Sequence, residues 1–221
     1  MFIHDIHFMI LSPSLMCADA GHFAEQVAML EASRVDSFHI DIMDGEFVPN
    51  FALSWADVAL FRKLTDIPFD AHLMVNNLDT HIEFAAKCRI NRVFLHVEHP
   101  KAHQAVAKVK SLGMNAGLAI NPDTSVNLLA EFKEDVDSIL LMRVNPGFAG
   151  QRGLDYTDDK IPAIQTILPR VDITVDGAVS KDVIKKLAKQ GVNGFVLGTS
   201  ALFNKYCRYS TIINEIRESI N

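Results

Sequence analysis

Short apolar runs alternate with longer amphipathic segments along the chain. The runs cover residues 8–11 (FMIL), 38–42 (FHIDI), 69–75 (FDAHLMV), 93–97 (VFLHV), 116–120 (AGLAI), 139–144 (ILLMRV), 171–175 (VDITV) and 194–197 (GFVL). Their starts are separated by 30, 31, 24, 23, 23, 32 and 23 residues, the length of one strand, one helix and two connections. The intervening segments have room for helices. Residues 19–31 keep Phe23, Val27 and Leu30 at helical spacing. Residues 180–190 set Val183, Ile184 and Leu187 against Lys181, Lys185, Lys186 and Lys189, with Ser180 as the N-cap and Gly191 as the C-cap.

Near-continuous apolar strands alternating with helices predict a parallel sheet covered by helices. Eight such units in 221 residues predict an α/β fold, one closed (β/α)8 TIM barrel forming a single domain over residues 1–221. An open dinucleotide-binding sheet is disfavoured, because the turn after the first run, Ser12-Pro13-Ser14-Leu15, has no glycine.

Composition narrows the function. Hydrophobic residues make up 49% of the chain and charged ones 22%, an ordinary globular balance. Twenty-one Lys+Arg against 27 Asp+Glu give a net charge of −6 and no basic footprint, so no nucleic-acid partner is expected. No apolar run approaches the roughly 20 residues that span a bilayer, so no membrane partner is expected either. Cys17, Cys88 and Cys207 are an odd, widely spaced set, and the first eight residues lack a basic leader. A reducing, cytoplasmic setting is the expectation.

In such a barrel, chemistry gathers where the strands end. The polar residues there are Ser14; His39, Asp41 and Asp44; His72; His96 and Glu98; Asn121; Asn145; Asp176; and Thr199 with Ser200. His39 and Asp41 are two apart on one strand and share a face. With His72 one strand later and Asp176 on the seventh, they predict a site for one divalent ion: Zn, Fe, Mn or Co. The alternative is hydrogen-bonded core histidines. His96-Val97-Glu98 repeats the pattern as a second ligand pair or a brace, with polar lining of the mouth preferred. His81, His99 and His103 read as solvated.

Three small-residue clusters follow strands 6, 7 and 8: Asn145-Pro-Gly-Phe-Ala-Gly-Gln151, Asp176-Gly-Ala-Val179 and Gly198-Thr-Ser200. Small residues let backbone N–H groups approach an anion, so these loops predict a phosphate site. Absences matter too. No lysine lies in a strand run or at the residue closing one, Lys205 being nearest, which argues against a Schiff-base aldolase. There is no Gly-x-Ser-x-Gly elbow, and Cys17 reads as a packed wall residue.

Ser12-Pro-Ser14, His39-Ile-Asp-Ile-Met-Asp-Gly45 with Phe47-Val-Pro-Asn50, His72-Leu-Met-Val75, Asn145-Pro-Gly-Phe148 and Val175-Asp-Gly177 resemble, in order, the signatures of the ribulose-phosphate 3-epimerase family. The resemblance implies a (β/α)8 barrel, a phosphorylated ketose as substrate and epimerisation at C3. It implies His39, Asp41, His72 and Asp176 as metal ligands, with Asp41 and Asp176 as the acid/base pair. Ser14 would present a hydroxyl to the substrate beside His72, and Met43, Met74 and Met142 would line the reacting carbons. Gly147, Gly150, Gly177, Ala178, Gly198 and Thr199 would hold the phosphate. A homo-oligomer is the expected assembly.

The chain departs from that pattern at Glu46, where the family usually has histidine, at Ala149 and Ala178 in place of glycines, and at Arg143, where a small residue is usual. Ser14-Leu-Met-Cys17 and Gly198-Thr-Ser-Ala-Leu-Phe-Asn204 are similar to the allulose-6-phosphate 3-epimerase branch, so the substrate choice lies between ribulose 5-phosphate and allulose 6-phosphate, with a slight lean to the pentose. A non-catalytic phosphosugar-binding barrel is the rival from another class; retention of both aspartates favours the enzyme. Related decarboxylases use Asp-x-Lys-x-x-Asp, and no lysine occurs between Arg34 and Arg62.

Overall fold

The structure is a computed structural model and describes residues 9–203 and 207–220. Phe8, which opens the first apolar run, and Asn204 and Lys205 lie outside the described residues. Eight strands follow one another: β1 (Ile10–Pro13), β2 (Phe38–Met43), β3 (Phe69–Met74), β4 (Arg92–His96), β5 (Asn115–Ile120), β6 (Ser138–Met142), β7 (Asp172–Asp176) and β8 (Gly194–Leu197). All pair in parallel, in the order β1-β8-β7-β6-β5-β4-β3-β2. The ends of that order meet through a single parallel bridge, Ser14 to His39, so the barrel is nearly closed and its seam lies at the predicted site. Lower on the seam, Asp36 accepts from the Leu11 N–H through its carboxylate at 2.8 Å and donates its own N–H to the Leu11 carbonyl at 3.1 Å.

Among the described residues, seven α-helices alternate with the strands: α1 (Phe23–Ala32), α2 (Trp55–Phe61), α3 (Leu78–Lys87), α4 (Ala102–Ser111), α5 (Ile161–Ile167), α6 (Lys181–Ala188) and α7 (Tyr209–Ile220). Between β5 and β6 the expected α-helix is instead a 3-10 helix, Val126–Phe132, in which Ser125 caps the N–H of Asn127. On α6 the Ser180 hydroxyl accepts from the Val183 N–H as predicted. Gly191 comes after the helix end, at φ +85°, where its N–H and that of Val192 return to the carbonyls of Ala188 and Leu187.

Side chains alternate across each strand. Phe38, Ile40 and Ile42 of β2, Ala71 and Leu73 of β3 and Val93 and Leu95 of β4 pack outward in the large core under the helices. The other parity faces the barrel axis. A smaller inner core there contains Phe94, Ala119, Leu140, Met142 and Val196. His39, Asp41, Met43, Asp70, His72, Met74 and His96 share this inward parity and are all buried. The two-residue period of the sequence therefore decides which side chains reach the axis. No described helix is long and apolar enough to cross a membrane.

Candidate metal centre and phosphate cradle

Register sets the first contacts. Pairing of β2 with β3 places His39 opposite Asp70 and Asp41 opposite His72. One ligand atom from each of His39, Asp41, His72 and Asp176 lies within 4.8 Å of all the others. His39 Nε2 and His72 Nδ1 stand 3.5 and 3.4 Å from Asp41 Oδ1. Both nitrogens are buried and lack a hydrogen-bond partner, which a folded protein rarely leaves uncompensated. Two imidazole nitrogens and two carboxylates converging on one point form a donor set suited to a divalent ion. On these grounds the residues fit the group that the sequence pattern implies.

Each histidine is held from behind. His39 Nδ1 bonds Asp70 Oδ1, and Asp70 Oδ2 accepts from the hydroxyls of Ser12 (2.8 Å) and Ser37 (3.1 Å). His72 Nε2 lies 2.9 Å from His96 Nε2, and His96 Nδ1 lies 3.2 Å from Glu98 Oε2. The His96–Glu98 pair is therefore a brace behind a candidate ligand rather than a second ligand pair. Sequence reasoning misses Asp70, although it lies two residues before His72 and shares its inward face. His99 is also buried, with Nε2 on the Asn76 carbonyl at 3.1 Å; this corrects the expectation that it is solvated. His103 is exposed as expected and stacks on Phe132.

The electrostatics separate the two aspartates. For Asp41, burial would raise the carboxyl, but the charge of His39 and the closeness of His72 outweigh it and hold the group well below the usual carboxylate range. The Ser14 hydroxyl donates to Asp41 Oδ2 at 2.7 Å. Burial drives Asp176 the other way, to about 7; the His39 charge opposes the rise and the Asp41 charge adds to it. Burial works against protonation of His39, yet the charges of Asp70 and Asp41 carry it well above its usual value. A metal ion at this point would compete with that proton. Burial lowers His96 to about 4, while hydrogen bonds from His96, Thr124 and the Asn121 backbone bring Glu98 to about 2 despite its own burial.

Above the aspartates opens a cleft of about 550 Å³. Ser14, Met43, Met74 and Met142 line it. So do Gly147, Ala149, Gly150, Gly177, Ala178, Gly198 and Thr199. Among the described residues, no lysine or arginine lines it. Met16 and Cys17 also line it, brought there by a short 3-10 turn, Leu15–Cys17, that the apolar pattern does not announce. Burial pushes the Cys17 thiol up to about 11, the state of an inert wall residue. Gly177 is required for close packing: at φ +99° an added Cβ would lie 2.9 Å from the Val144 backbone nitrogen. Ala178 follows in the left-handed region at φ +51°. Asn121 lies outside the lining; its N–H donates to Glu98 at 2.9 Å. Glu46 accepts from Asn76 at the exposed rim.

Solved structures with this fold include KGPDC from Streptococcus mutans, with a TM-score of 0.76 at 13% identity over 96% of this chain and 97% of that one. Another is phosphoribosyl anthranilate isomerase from Thermus thermophilus, with a TM-score of 0.68 at 10% identity over 96% and 98%. At those identities they establish the barrel alone. Sequence relatives go further. A ribulose-phosphate 3-epimerase of Bacillus subtilis (strain 168) is 34% identical over 95% of this chain and 98% of its own. One from Helicobacter pylori (strain ATCC 700392 / 26695) is 32% identical over 96% and 100%, and a chloroplastic ribulose-5-phosphate-3-epimerase of Arabidopsis thaliana is 32% identical over 95% and 76%. The model of the Ribulose-phosphate 3 epimerase family matches residues 10–203, from the first strand through the last of the loops that line the cleft. The chain belongs to the ribulose-phosphate 3-epimerase family and is an epimerase.

Proposed function

We propose that the chain interconverts D-ribulose 5-phosphate and D-xylulose 5-phosphate, passing the C3 proton between substrate and the two aspartates of the cleft, Asp41 and Asp176. The observation that carries this reading is the convergence of Asp41 and Asp176 in one cleft, with ligand atoms within 4.8 Å of each other and, before a metal is bound, carboxyls displaced in opposite directions. A pair of carboxyls pushed apart in this way supplies a base and an acid at once.

A hydrogen next to a ketone is weakly acidic. One aspartate removes the C3 proton, leaving a planar cis-enediolate, and the other delivers a proton to the opposite face. In the reverse direction the two exchange roles. Ser14 steadies Asp41 through Oδ2. Met43, Met74 and Met142 wall the site with groups that neither donate nor accept protons at neutral pH. His39, Asp41, His72 and Asp176 would hold one divalent ion, Zn, Fe, Mn or Co, which when bound supplies Lewis-acid stabilisation of the charge that develops on the substrate oxygens.

At the other end of the cleft, backbone N–H groups of the turns at Gly147–Gly150, Gly177–Ala178 and Gly198–Thr199 receive the phosphate, with no lysine or arginine among the described residues that line it. The names of the relatives support the pentose. Ala149 and Ala178, each with a methyl where glycine would leave room, support it as well.

The test is an epimerase assay with ribulose 5-phosphate and allulose 6-phosphate in parallel, on protein of measured metal content. One extra hydroxymethylene is worth about 1–3 kcal/mol, so both sugars turn over and the pentose leads by about 10- to 200-fold. A larger kcat/KM for allulose 6-phosphate would overturn the substrate, and no turnover of either sugar by metal-loaded protein would overturn the enzyme.

A further inference from the structure

We infer that Arg143 is a positioning residue that holds the Asp176–Gly177–Ala178 turn in the shape that receives phosphate. The inference rests on the reading of that turn as part of the phosphate cradle.

Arg143 follows β6 and is 1% exposed, an unusual burial for a guanidinium. Its charge is fully engaged. Nε donates to Asp158 Oδ1 at 2.7 Å and Nη2 to Asp155 Oδ1 at 2.6 Å. Asp158 is itself 3% exposed and takes a second cation, Lys186 of α6, on Oδ2 at 2.9 Å. With two edges of the fork committed to carboxylates, the remaining Nη1 points at the Ala178 carbonyl, 3.2 Å away. A rigid planar fork reaches these three partners from three separate nitrogens at fixed spacing, which the single nitrogen of an ammonium cannot.

The neighbours are cut to fit this arrangement. A Cβ added to Gly153 would stand 3.1 Å from Arg143 Nη1 and 3.1 Å from Ala178 Cβ, so a side chain there would press on both. The group being held also needs a restraint. Ala178 carries a Cβ at φ +51°, a conformation that disfavours every residue except glycine, asparagine and aspartate.

Arg143 grips the turn at both ends, by different atoms. Its backbone N–H donates to the Asp176 carbonyl at 2.7 Å, while its side chain holds Ala178. Replacing the side chain leaves the first contact and removes the second. The effect should therefore fall on phosphate binding, not on the proton-transferring carboxyl.

The experiment compares wild type with Arg143→Lys, using ribulose 5-phosphate as substrate, inorganic phosphate as competitive inhibitor, and thermal unfolding to confirm the fold. Loss of one charge-assisted hydrogen bond predicts a rise of about tenfold or more in KM and in the phosphate inhibition constant, with kcat within about threefold. Adding Ala178→Gly should recover part of both, because glycine holds the turn without the anchor. Unchanged KM and inhibition constant with a lowered melting temperature would overturn the inference, as would a fall in kcat alone. Should Arg143→Lys not fold, Asp155→Asn loosens the fork at a carboxylate that is 83% exposed; it should raise both constants in the same way, and constants equal to wild type would again overturn the inference. If wild type accepts free ribulose as readily as its phosphate, the cradle reading fails and takes this inference with it. If wild type demands the phosphate and the variants keep its KM, only the role of Arg143 fails.

Discussion

His96 Nε2 lies 2.9 Å from His72 Nε2, two imidazoles sharing one proton inside the barrel. The direction of that bond follows from its ends. Glu98 stands 3.2 Å from His96 Nδ1 and, as a carboxylate, can only accept. His96 therefore carries its proton on Nδ1 and accepts at Nε2, His72 donates from Nε2, and His72 Nδ1 is left bare toward Asp41. Asp70 does the same for His39 in one step. Carboxylates behind ligating histidines fix tautomer and ring orientation.

Glu98→Gln should weaken metal binding about 10- to 100-fold, read by competition with a chromophoric chelator. Glutamine can donate as well as accept, so it no longer dictates the chain of protons. Wild-type affinity in a folded variant would disprove the relay. Stripping the metal from wild type should abolish epimerisation, and Zn, Co, Mn or Fe should restore it.

Asp41→Asn and Asp176→Asn should each lower kcat by about 10²–10⁴, the usual scale for a lost general acid or base. If the two groups serve opposite faces of C3, one variant still exchanges the C3 hydrogen for deuterium from solvent without inverting the carbon. Mass spectrometry of substrate recovered from heavy water reads this directly. Epimerisation by both variants within tenfold of wild type would rule out the two-carboxyl scheme.

Gly198 offers a gentler probe of the phosphate loops than Gly177. A Cβ there meets only Cys17 Sγ, at 3.5 Å, an ordinary contact. Gly198→Ala should leave the melting temperature within about 2 °C, since exposed or tolerated sites change stability by less than about 0.5 kcal/mol. Its methyl group should nevertheless raise KM for the phosphorylated sugar by blocking close backbone approach. A KM equal to wild type would place the phosphate elsewhere.

Asp176 also makes a prediction about stability in the metal-free protein. Its folded value is raised from 3.8 to about 7, so the native state keeps a proton that the unfolded chain has lost. Stability on this account falls as pH rises from about 4 to about 7 and is then flat. Asparagine has no such proton to lose. Metal-free Asp176→Asn should be more stable than wild type near pH 8 by about 1–4 kcal/mol, with the gain vanishing near pH 4. Denaturant melts at the two pH values check it; a gain that is the same at both would contradict the assignment.

The sequence by itself determined the barrel and much of the site. Eight apolar runs at nearly one spacing leave little choice of architecture, and the two-residue period of a strand places His39, Asp41 and Met43 on the face opposite Phe38, Ile40 and Ile42. Backbone geometry is local, so residue order suffices for that. What only the tertiary structure decided are relations across strands. The nearly closed barrel brings Asp176 of β7 within 4.8 Å of ligand atoms on β2 and β3. Register sets Asp70 behind His39, and the converging strands set His96 behind His72. Arg143, in sequence merely a departure from a family pattern, lies against Ala178 because the connection after β6 folds the carboxylates of Asp155 and Asp158 around it. The split between Asp41 and Asp176 is likewise absent from the sequence, where both are single aspartates on apolar strands. It arises because burial and the summed field of His39, Asp70 and each other act differently at two points, and such sums over distance exist only once the chain has closed on itself.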